Sequence, residues 1–502
     1  MNSNTQHITL SASSASTSRR RHRGMAALSV FLLATLPALS MAAATYDLTF
    51  TAADKGTITG AASGASYAAG TQLTLKASPY GSYGVKAWTG DAASCGNRDT
   101  CTLTMDGDKT VGLEFKGVPV GFGAGVTGGD GGEVVTVSTP EELKRALCDN
   151  VVNNACADTT PRIIQLTSTI DFRGLEGMKT SEGCTYSYNS CEVNGKPERI
   201  LKFADYCAGR PTYSITHDAA GGSPMLVGSN KTLIGIGKEA GIKGKGLIMG
   251  GGVSNIIIRN LSITDINEGI VFAGDAITID NASRIWIDHN YISRIGRQMI
   301  VAGWGTAAGV TISNNFFDGT TEVGHYCDNR HYWVMLLIGE NESITLIGNR
   351  ILNSSGRSPE VGKQAGAAGV GVVHIVNNLF ESNFYMGVSN SDDTITFVEG
   401  NYWKPSDLYF FPMFQSASNK IFSTVDTTAN AARDTCLAGI GRDCVTNFAK
   451  NTSDFIINDQ VMPLVKQSVE MQKAIGGVTP FPYAKVAEIV GVSAGPQDNP
   501  DD

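Results

Sequence analysis

From residue 228 onward the chain repeats a short pattern: an apolar residue, two variable residues, an asparagine, one variable residue and a second apolar residue. Successive asparagines are 25, 34, 29 and 23 residues apart. Irregular spacing of a regular motif is typical of a solenoid, whose turns each add short strands to a shared core. The repeats are Ile287/Asn290/Ile292, Ile312/Asn315/Phe317, Leu346/Asn349/Ile351, Ile375/Asn378/Phe380 and Val398/Asn401/Trp403.

The residue types between the asparagines favour strands over helices. These segments are rich in Ile, Val, Phe and Thr and are broken by Gly and Asn. Asparagine suits a bend because it tolerates left-handed backbone geometry and its amide can bond to a neighbouring turn. The pattern therefore predicts an all-β fold, a parallel β-helix, which we place in a domain of residues 118–502.

A second, shorter pattern precedes the solenoid. Apolar and polar residues alternate in Tyr46–Phe50, Thr71–Leu75 and Val111–Phe115, between turns of Gly, Asp and Ser. This predicts a small β domain over residues 45–117. Through its Gly-Thr-Ile-Thr-Gly and Trp-Thr-Gly-Asp stretches it resembles bacterial repeat modules related to the internalin B-repeat. That resemblance implies a fold, and leaves a spacer role and a carbohydrate-binding role open.

The first 44 residues have the organisation of a signal peptide. Four arginines, the last of them Arg23, precede an apolar run from Ala26 to Leu39, and small residues follow at Ala42–Ala44. The alternative is a retained signal anchor, which the short apolar run disfavours. No other apolar stretch is long enough to cross a membrane, so we expect a secreted, extracellular protein that is not a membrane protein.

Net charge narrows the choice of partner. The formal charge is −8, and removal of residues 1–44 takes away four arginines and no acidic residue, leaving about −12. Such a protein is a poor ligand for nucleic acid. A polyanionic substrate would also be repelled unless its carboxylates were masked.

Ten cysteines in an exported chain indicate disulfides. The sequence contains no tight CxxC pair with a histidine nearby, so the cysteines do not indicate a zinc site. Three pairs are close in sequence: Cys95–Cys101, Cys148–Cys156 and Cys436–Cys444. The other four, Cys184, Cys191, Cys207 and Cys327, allow three pairings.

Several motifs resemble the pectin lyase branch of the pectate/pectin lyase family. They span roughly residues 120–445 and are Gly274–Ile277 (GDAI), Trp286–His289 (WIDH), Arg294–Gln298 (RIGRQ), Thr311–Gly319 (TISNNFFDG), His331–Trp333 (HYW) and Ser355–Pro359 (SGRSP). The resemblance implies a right-handed, single-stranded parallel β-helix. It also implies a monomeric lyase that acts on pectin, a methyl-esterified polygalacturonate, without a metal ion or other cofactor.

The family's catalytic roles fall on three residues here. By resemblance, Arg357 is the base that removes the proton on C5 of a uronosyl ring, Arg297 is the cation facing the developing oxyanion, and Asp275 holds Arg297. In the pectate lyase branch two further acids bind calcium, and this chain has Gln298 and Ala302 at those positions. Asp275 alone would be a poor calcium site.

An arginine base is unusual, because a free guanidinium stays protonated up to a pH of roughly 12. The alternative is that Arg357 stabilises charge while water or hydroxide takes the proton. Both interpretations predict an alkaline optimum.

The resemblance also assigns supporting residues. Tyr332 and Trp333 are candidate sugar contacts, with core packing as the alternative, and Phe272 stands near the position of a family tryptophan. Asp288 and His289 are interpreted as a structural hydrogen-bonded pair rather than as catalytic groups. The family further implies the disulfides Cys184–Cys207 and Cys191–Cys327.

Three other functions compete with this one. A calcium-dependent pectate lyase acting on unesterified polygalacturonate differs in its response to a chelator. A glycoside hydrolase would need paired carboxylates on one strand face, and Asp392-Asp393 lies outside the matched motifs. A non-catalytic adhesin is disfavoured by the joint presence of Asp275, Arg297 and Arg357.

Overall fold

The computed structural model describes residues 43–186, 195–364, 366, 369–384, 387–391, 394–404, 420–449 and 460–500. Thr45–Asp502 form one compact unit. All but the last two residues of the expected signal peptide lie outside the described part. Among the described residues, no helix combines the length and the apolar character needed to span a bilayer.

The N-terminal module consists of seven strands in two small sheets. Their order is β3-β1-β7-β5 in one sheet and β2-β4-β6 in the other. Alternate side chains, among them Leu48, Leu75 and Trp88, are buried in a core of the module's own. The strands are β1 (Thr45–Phe50), β2 (Gly56–Thr59), β3 (Ala65–Ala68), β4 (Gln72–Pro79), β5 (Tyr83–Gly90), β6 (Thr100–Thr104) and β7 (Lys109–Gly117).

The remaining strands build the solenoid. They are β8 (Glu133–Val137), β9 (Val151–Val152), β10 (Ala155–Cys156), β11 (Arg162–Leu166), β12 (Thr169–Asp171), β13 (Met178–Thr185), β14 (Arg199–Leu201), β15 (Thr212–Asp218), β16 (Met225–Leu226), β17 (Lys231–Gly235), β18 (Gly241–Lys243), β19 (Leu247–Arg259), β20 (Ser262–Ile266), β21 (Ile270–Val271), β22 (Ile277–Asp288), β23 (Tyr291–Ile295), β24 (Ile300–Ala302), β25 (Ala307–Ser313), β26 (Phe316–Asp318), β27 (Met335–Leu337), β28 (Ser343–Ile347), β29 (Arg350–Leu352), β30 (Glu360–Val361), β31 (Gly371–Val376), β32 (Leu379–Glu381), β33 (Ser389–Asn390), β34 (Thr394–Glu399), β35 (Tyr402–Trp403) and β36 (Ile421–Ser423). The helices are α1 (Pro140–Leu147), α2 (Ala429–Ile440), α3 (Val461–Gln467), α4 (Val469–Gly476) and α5 (Val486–Ser493).

Most of these strands stack in three parallel rows that enclose one apolar core, whereas β9 pairs antiparallel with β10, and β13 pairs antiparallel with β14 and β15. The first row contains β16, the first half of β19, the first half of β22, then β24, β27, β30 and β33. The second row contains the other halves of β19 and β22, then β25, β28, β31, β34 and β36. The third contains β12, β18, β20, β23, β26, β29, β32 and β35. The fold is therefore a parallel β-helix, as the sequence predicts. The helix is right-handed, which agrees with the general rule for crossover connections between parallel strands.

The repeated asparagines form a continuous ladder at the bend between the second and third rows. Each side-chain amide donates to the side-chain oxygen of the next asparagine, at 2.9–3.0 Å, from Asn290 through Asn315, Asn349, Asn378 and Asn401 to Asn447. The expectation that these asparagines adopt left-handed geometry is wrong. Their preceding residues do so, for example His289 at φ 52° and Gly348 at φ 66°. The ladder asparagines act through their amides alone.

Four disulfide bonds link described cysteines: Cys95–Cys101, Cys148–Cys156, Cys184–Cys207 and Cys436–Cys444. They are four of the five pairs named from the sequence. Cys191 lies outside the described residues, so the Cys191–Cys327 bond stays a prediction.

The module is joined to the solenoid by a buried polar cluster. Asp288 contacts His289 Nδ1 at 2.6 Å and Arg259 Nε at 2.8 Å. The Asn314 amide donates to Asp288 at 3.0 Å and to Ser82 Oγ of the module at 2.8 Å. Burial alone would raise the pKa of Asp288, but His289 and Arg259 outweigh it and hold the pKa at about 2. The expected structural pairing of Asp288 with His289 is confirmed.

Candidate active site

Asp275 and Arg297 form a bidentate ion pair at the edge where first-row strands begin. Asp275 stands two residues before β22, and Arg297 stands three before β24. Arg297 Nε donates to Asp275 Oδ1 at 2.9 Å and Nη2 donates to Oδ2 at 2.5 Å. The Gln298 backbone N–H also donates to Oδ1, at 2.8 Å. Asp275 therefore fixes the guanidinium, and Arg297 Nη1 has no hydrogen bond to any described residue.

Arg357 occupies the same edge, three residues before β30. Adjacent first-row strands are about 4.8 Å apart, so the backbones of Arg297 and Arg357, two turns apart, are separated by about 10 Å. The Arg357 backbone is in the left-handed region at φ 43°. Its Nε lies 2.6 Å from Glu360 Oε2. The row thus brings the two sequence-predicted arginines to one face.

Trp333 lies between the two arginines and supports Arg357. Its indole ring centroid is 4.5 Å from Arg357 Cζ, a cation–π distance. Its ring N–H donates to Glu198 Oε1 at 2.8 Å. Trp333 is only 5% exposed. Arg357 covers one face of the buried ring, and a sugar contact of Trp333 stays a prediction.

Glu198 is a fully buried carboxyl directly before β14. Besides Trp333, it contacts His325 Nδ1 at 3.0 Å. Burial raises the pKa of Glu198, against the opposing effects of His325, Trp333 and Arg357. Nothing in the sequence around Glu198 singles it out, since its partners are more than a hundred residues away.

Tyr332 is half-buried beside Arg357, whose Cζ is 5.8 Å from the ring centroid. A side chain at Gly356 would come within 2.4 Å of the Tyr332 ring, so only glycine fits there. Burial raises the pKa of Tyr332 to about 12, which keeps its hydroxyl neutral. Tyr332 can offer both a ring edge and a hydroxyl to a ligand.

His331 ties the backbones of adjacent turns together. Its Nε2–H donates to the Arg297 carbonyl at 2.9 Å and to the Trp333 carbonyl at 3.2 Å. Burial lowers the pKa of His331 to about 4, so the ring is neutral near neutral pH. It positions the row and cannot act as a charged group there.

An aromatic wall flanks Arg297. The Phe272 ring centroid is 4.9 Å from Arg297 Cζ. Phe272 also packs against Phe203 at 4.9 Å and Tyr206 at 5.2 Å, which are 58% and 39% exposed. Phe203 and Tyr206 precede Cys207, which is bonded to Cys184. Sequence reasoning missed both, because isolated aromatic residues in a loop carry no pattern.

Gln298 and Ala302 are both completely buried. Ala302 belongs to the solenoid core. This differs from the expectation that both positions are vacated calcium-ligand sites, because an acidic side chain at 302 would point into the core.

Comparison with known proteins places this fold and site in a family. Residues 203–449 match the family model described as "Pectate lyase", and residues 46–119 match "Divergent InlB B-repeat domain". A probable pectin lyase F of Neosartorya fischeri is 39% identical over 66% of this chain and 82% of its own length. Pectin lyase B of Emericella nidulans is 36% identical over 68% of this chain and 86% of its own length. The chain therefore belongs to the pectate/pectin lyase family and is a polysaccharide lyase.

Solved structures of pectate lyases are also similar. One is a Bacillus pectate lyase in complex with trigalacturonate, at 18% identity and TM-score 0.45, covering 75% of this chain and 98% of the other. Another is pectate lyase II of Xanthomonas campestris, at 20% identity and TM-score 0.45, covering 76% and 100%.

Proposed function

We propose that the protein is a secreted, monomeric pectin lyase that cleaves methyl-esterified (1→4)-α-D-galacturonan by β-elimination, without calcium. The observation that carries the proposal is the fixed, partly unbonded guanidinium of Arg297, two turns from Arg357 on the same edge. The curated relatives named as pectin lyases support it. Secretion rests on the signal-peptide pattern of residues 1–44.

The reaction needs a base, a site for negative charge and a leaving group. The base removes the C5 proton, and the electron pair forms the C4–C5 double bond as the C4–O4 glycosidic bond breaks. In the transition state negative charge develops on the carbonyl oxygen of the ester group whose carbon, C6, is bonded to C5. Proton transfer to O4 completes a saturated chain end and a 4,5-unsaturated chain end.

Arg297 is suited to stabilise that developing charge. Asp275 engages Nε and Nη2, which fixes the guanidinium and leaves the Nη1 donors for the carbonyl oxygen. A methyl ester is neutral in the ground state, so one cation suffices for the charge that develops. A free carboxylate would have to accept a second negative charge, which calls for more cationic help.

Calcium would find a poor donor set at this place. Both carboxylate oxygens of Asp275 already accept hydrogen bonds, from Arg297 and from the Gln298 backbone. The side chain of Ala302 provides no oxygen, and that of Gln298 is buried. The donor chemistry supports the choice of an esterified substrate.

Arg357 is proposed to act at C5, either as the base or as a cation beside an incoming hydroxide. In both cases turnover rises toward alkaline pH, because the neutral guanidinium or the hydroxide becomes more abundant. Phe272 and Tyr332 are the proposed sugar contacts, and the exposed Phe203 and Tyr206 extend the wall on the Arg297 side.

The test measures ultraviolet absorbance of the unsaturated product from highly esterified pectin and from unesterified polygalacturonate, each with EDTA and with added calcium. We expect faster turnover of the esterified polymer, unaffected by EDTA. Arg357→Lys should lose most turnover, because lysine lacks the forked, planar donor group. Turnover that stops with EDTA and returns with calcium would instead identify a pectate lyase.

A further inference from the structure

Arg357 is held from two sides by groups that the catalytic assignment does not use. On one side Nε lies 2.6 Å from Glu360 Oε2, and the two side chains are 18% and 34% exposed. Glu360 is the first residue of β30, and its backbone is in register with Leu336 on one side and Ser389 on the other. The carboxylate is thus fixed to a strand, while Arg357 stands in the preceding loop.

On the other side the guanidinium lies against Trp333 at 4.5 Å. That indole is anchored by its N–H to Glu198. Its backbone carbonyl accepts from the Met299 N–H at 3.1 Å. These bonds hold the ring beneath Arg357, and the guanidinium contacts both this ring and the Glu360 carboxylate.

Among the described residues, four titratable groups face Arg357: Glu360, Glu198, Tyr332 and Tyr186. Burial raises the pKa of both tyrosines, so each is neutral over the ordinary range. Burial also raises the pKa of Glu198, which is separated from Arg357 by the Trp333 indole. Glu360 is the carboxylate in direct contact.

We propose that Glu360 is a positioning residue that holds the Arg357 guanidinium over Trp333, in the place that turnover requires. The inference rests on the proposed function, since it concerns the same reaction. Loss of the ion pair lets the Arg357 side chain move away from the substrate.

The experiment compares kcat and KM on esterified pectin for the wild type, Glu360→Gln and Glu381→Gln. Glu381 offers a matched control on the third row, away from the site. Its Oε2 lies 2.6 Å from Arg350 Nε, and Arg350 Cζ is 4.5 Å from the Phe316 ring centroid. The control variant therefore removes a carboxylate that pairs with an arginine lying over an aromatic ring.

We expect Glu360→Gln to lower kcat at least severalfold with a smaller change in KM, because a displaced guanidinium impairs the chemical step more than substrate binding. Glu381→Gln should leave both parameters unchanged. An unchanged kcat, or a raised KM with a normal kcat, would overturn the inference. Absence of wild-type turnover on pectin would contradict the proposed function instead, so the two failures are distinguishable.

Discussion

The guanidinium of Arg297 donates to Asp275 through Nε and Nη2, and its Nη1 has no hydrogen bond to a described residue. In the proposed reaction Nη1 donates to the substrate. A lysine has one ammonium group on a flexible stem, and it cannot satisfy both demands in a fixed geometry.

We therefore expect Arg297→Lys to lower kcat roughly 100-fold with a smaller change in KM, because the lost interaction belongs to the transition state. Arg294→Lys is the control. Arg294 forms a similar bidentate pair with Asp265, at 2.6 and 3.1 Å, in the third row. Steady-state kinetics on esterified pectin separate the two parameters. A raised KM with normal kcat would show that Arg297 only binds substrate.

The sequence predicted some residues of the candidate site and missed others. The motifs around Asp275, Arg297 and Arg357 predicted the residues that the first row brings to one edge. Glu198 and Glu360 were missed, because their role depends on contacts that no spacing encodes.

At the level of elements, the asparagine ladder connects successive turns where the second row meets the third. Asn349 donates to the Ile312 carbonyl at 2.8 Å and to Asn378 at 2.9 Å, and its side-chain oxygen accepts two bonds from Asn315. All these groups are buried. Removing one amide leaves partners on both adjacent turns unsatisfied.

The substitution Asn349→Leu replaces the amide by an apolar side chain of nearly the same size. It should lower the free energy of unfolding by about 3 kcal/mol or more. Urea denaturation followed by fluorescence measures the change. Asn430→Leu, at an exposed position in α2, should leave stability nearly unchanged. Equal effects of the two substitutions would show that the ladder contributes little to the free energy of unfolding.

The spacing of the asparagines predicted the repeating turns, because each turn must repeat the same bend. The irregular spacing of the asparagines also indicated where insertions occur between the turns. The assignment of strands to three rows could not be predicted, since two strands, β19 and β22, each continue through two rows.

For the whole molecule, the N-terminal module and the end of the chain share a packed surface with the solenoid. The Gly81 N–H donates to the Thr479 carbonyl at 3.1 Å, and the Tyr80 and Phe481 rings lie 5.5 Å apart. Ser82, which accepts from Asn314, is 1% exposed. These contacts favour a structural role for the module over that of a loose tether.

We expect the mature protein to unfold in one calorimetric transition, and removal of residues 45–117 to lower its midpoint by several degrees. The physical reason is that Asn314 loses its hydrogen bond to Ser82, and its buried neighbours become exposed to solvent. Two separate transitions, with the solenoid midpoint unchanged by the deletion, would show that the module is an independent spacer.

The amide ladder also has a direction and two closed ends. At its start the Asn290 oxygen accepts from the Leu261 backbone N–H, and at its finish the Asn447 amide donates to the Val398 and Thr424 carbonyls. Each internal asparagine of the ladder therefore accepts from the turn before it and donates to the turn after it. A turn added to the solenoid would keep the ladder continuous only if it carried its own asparagine.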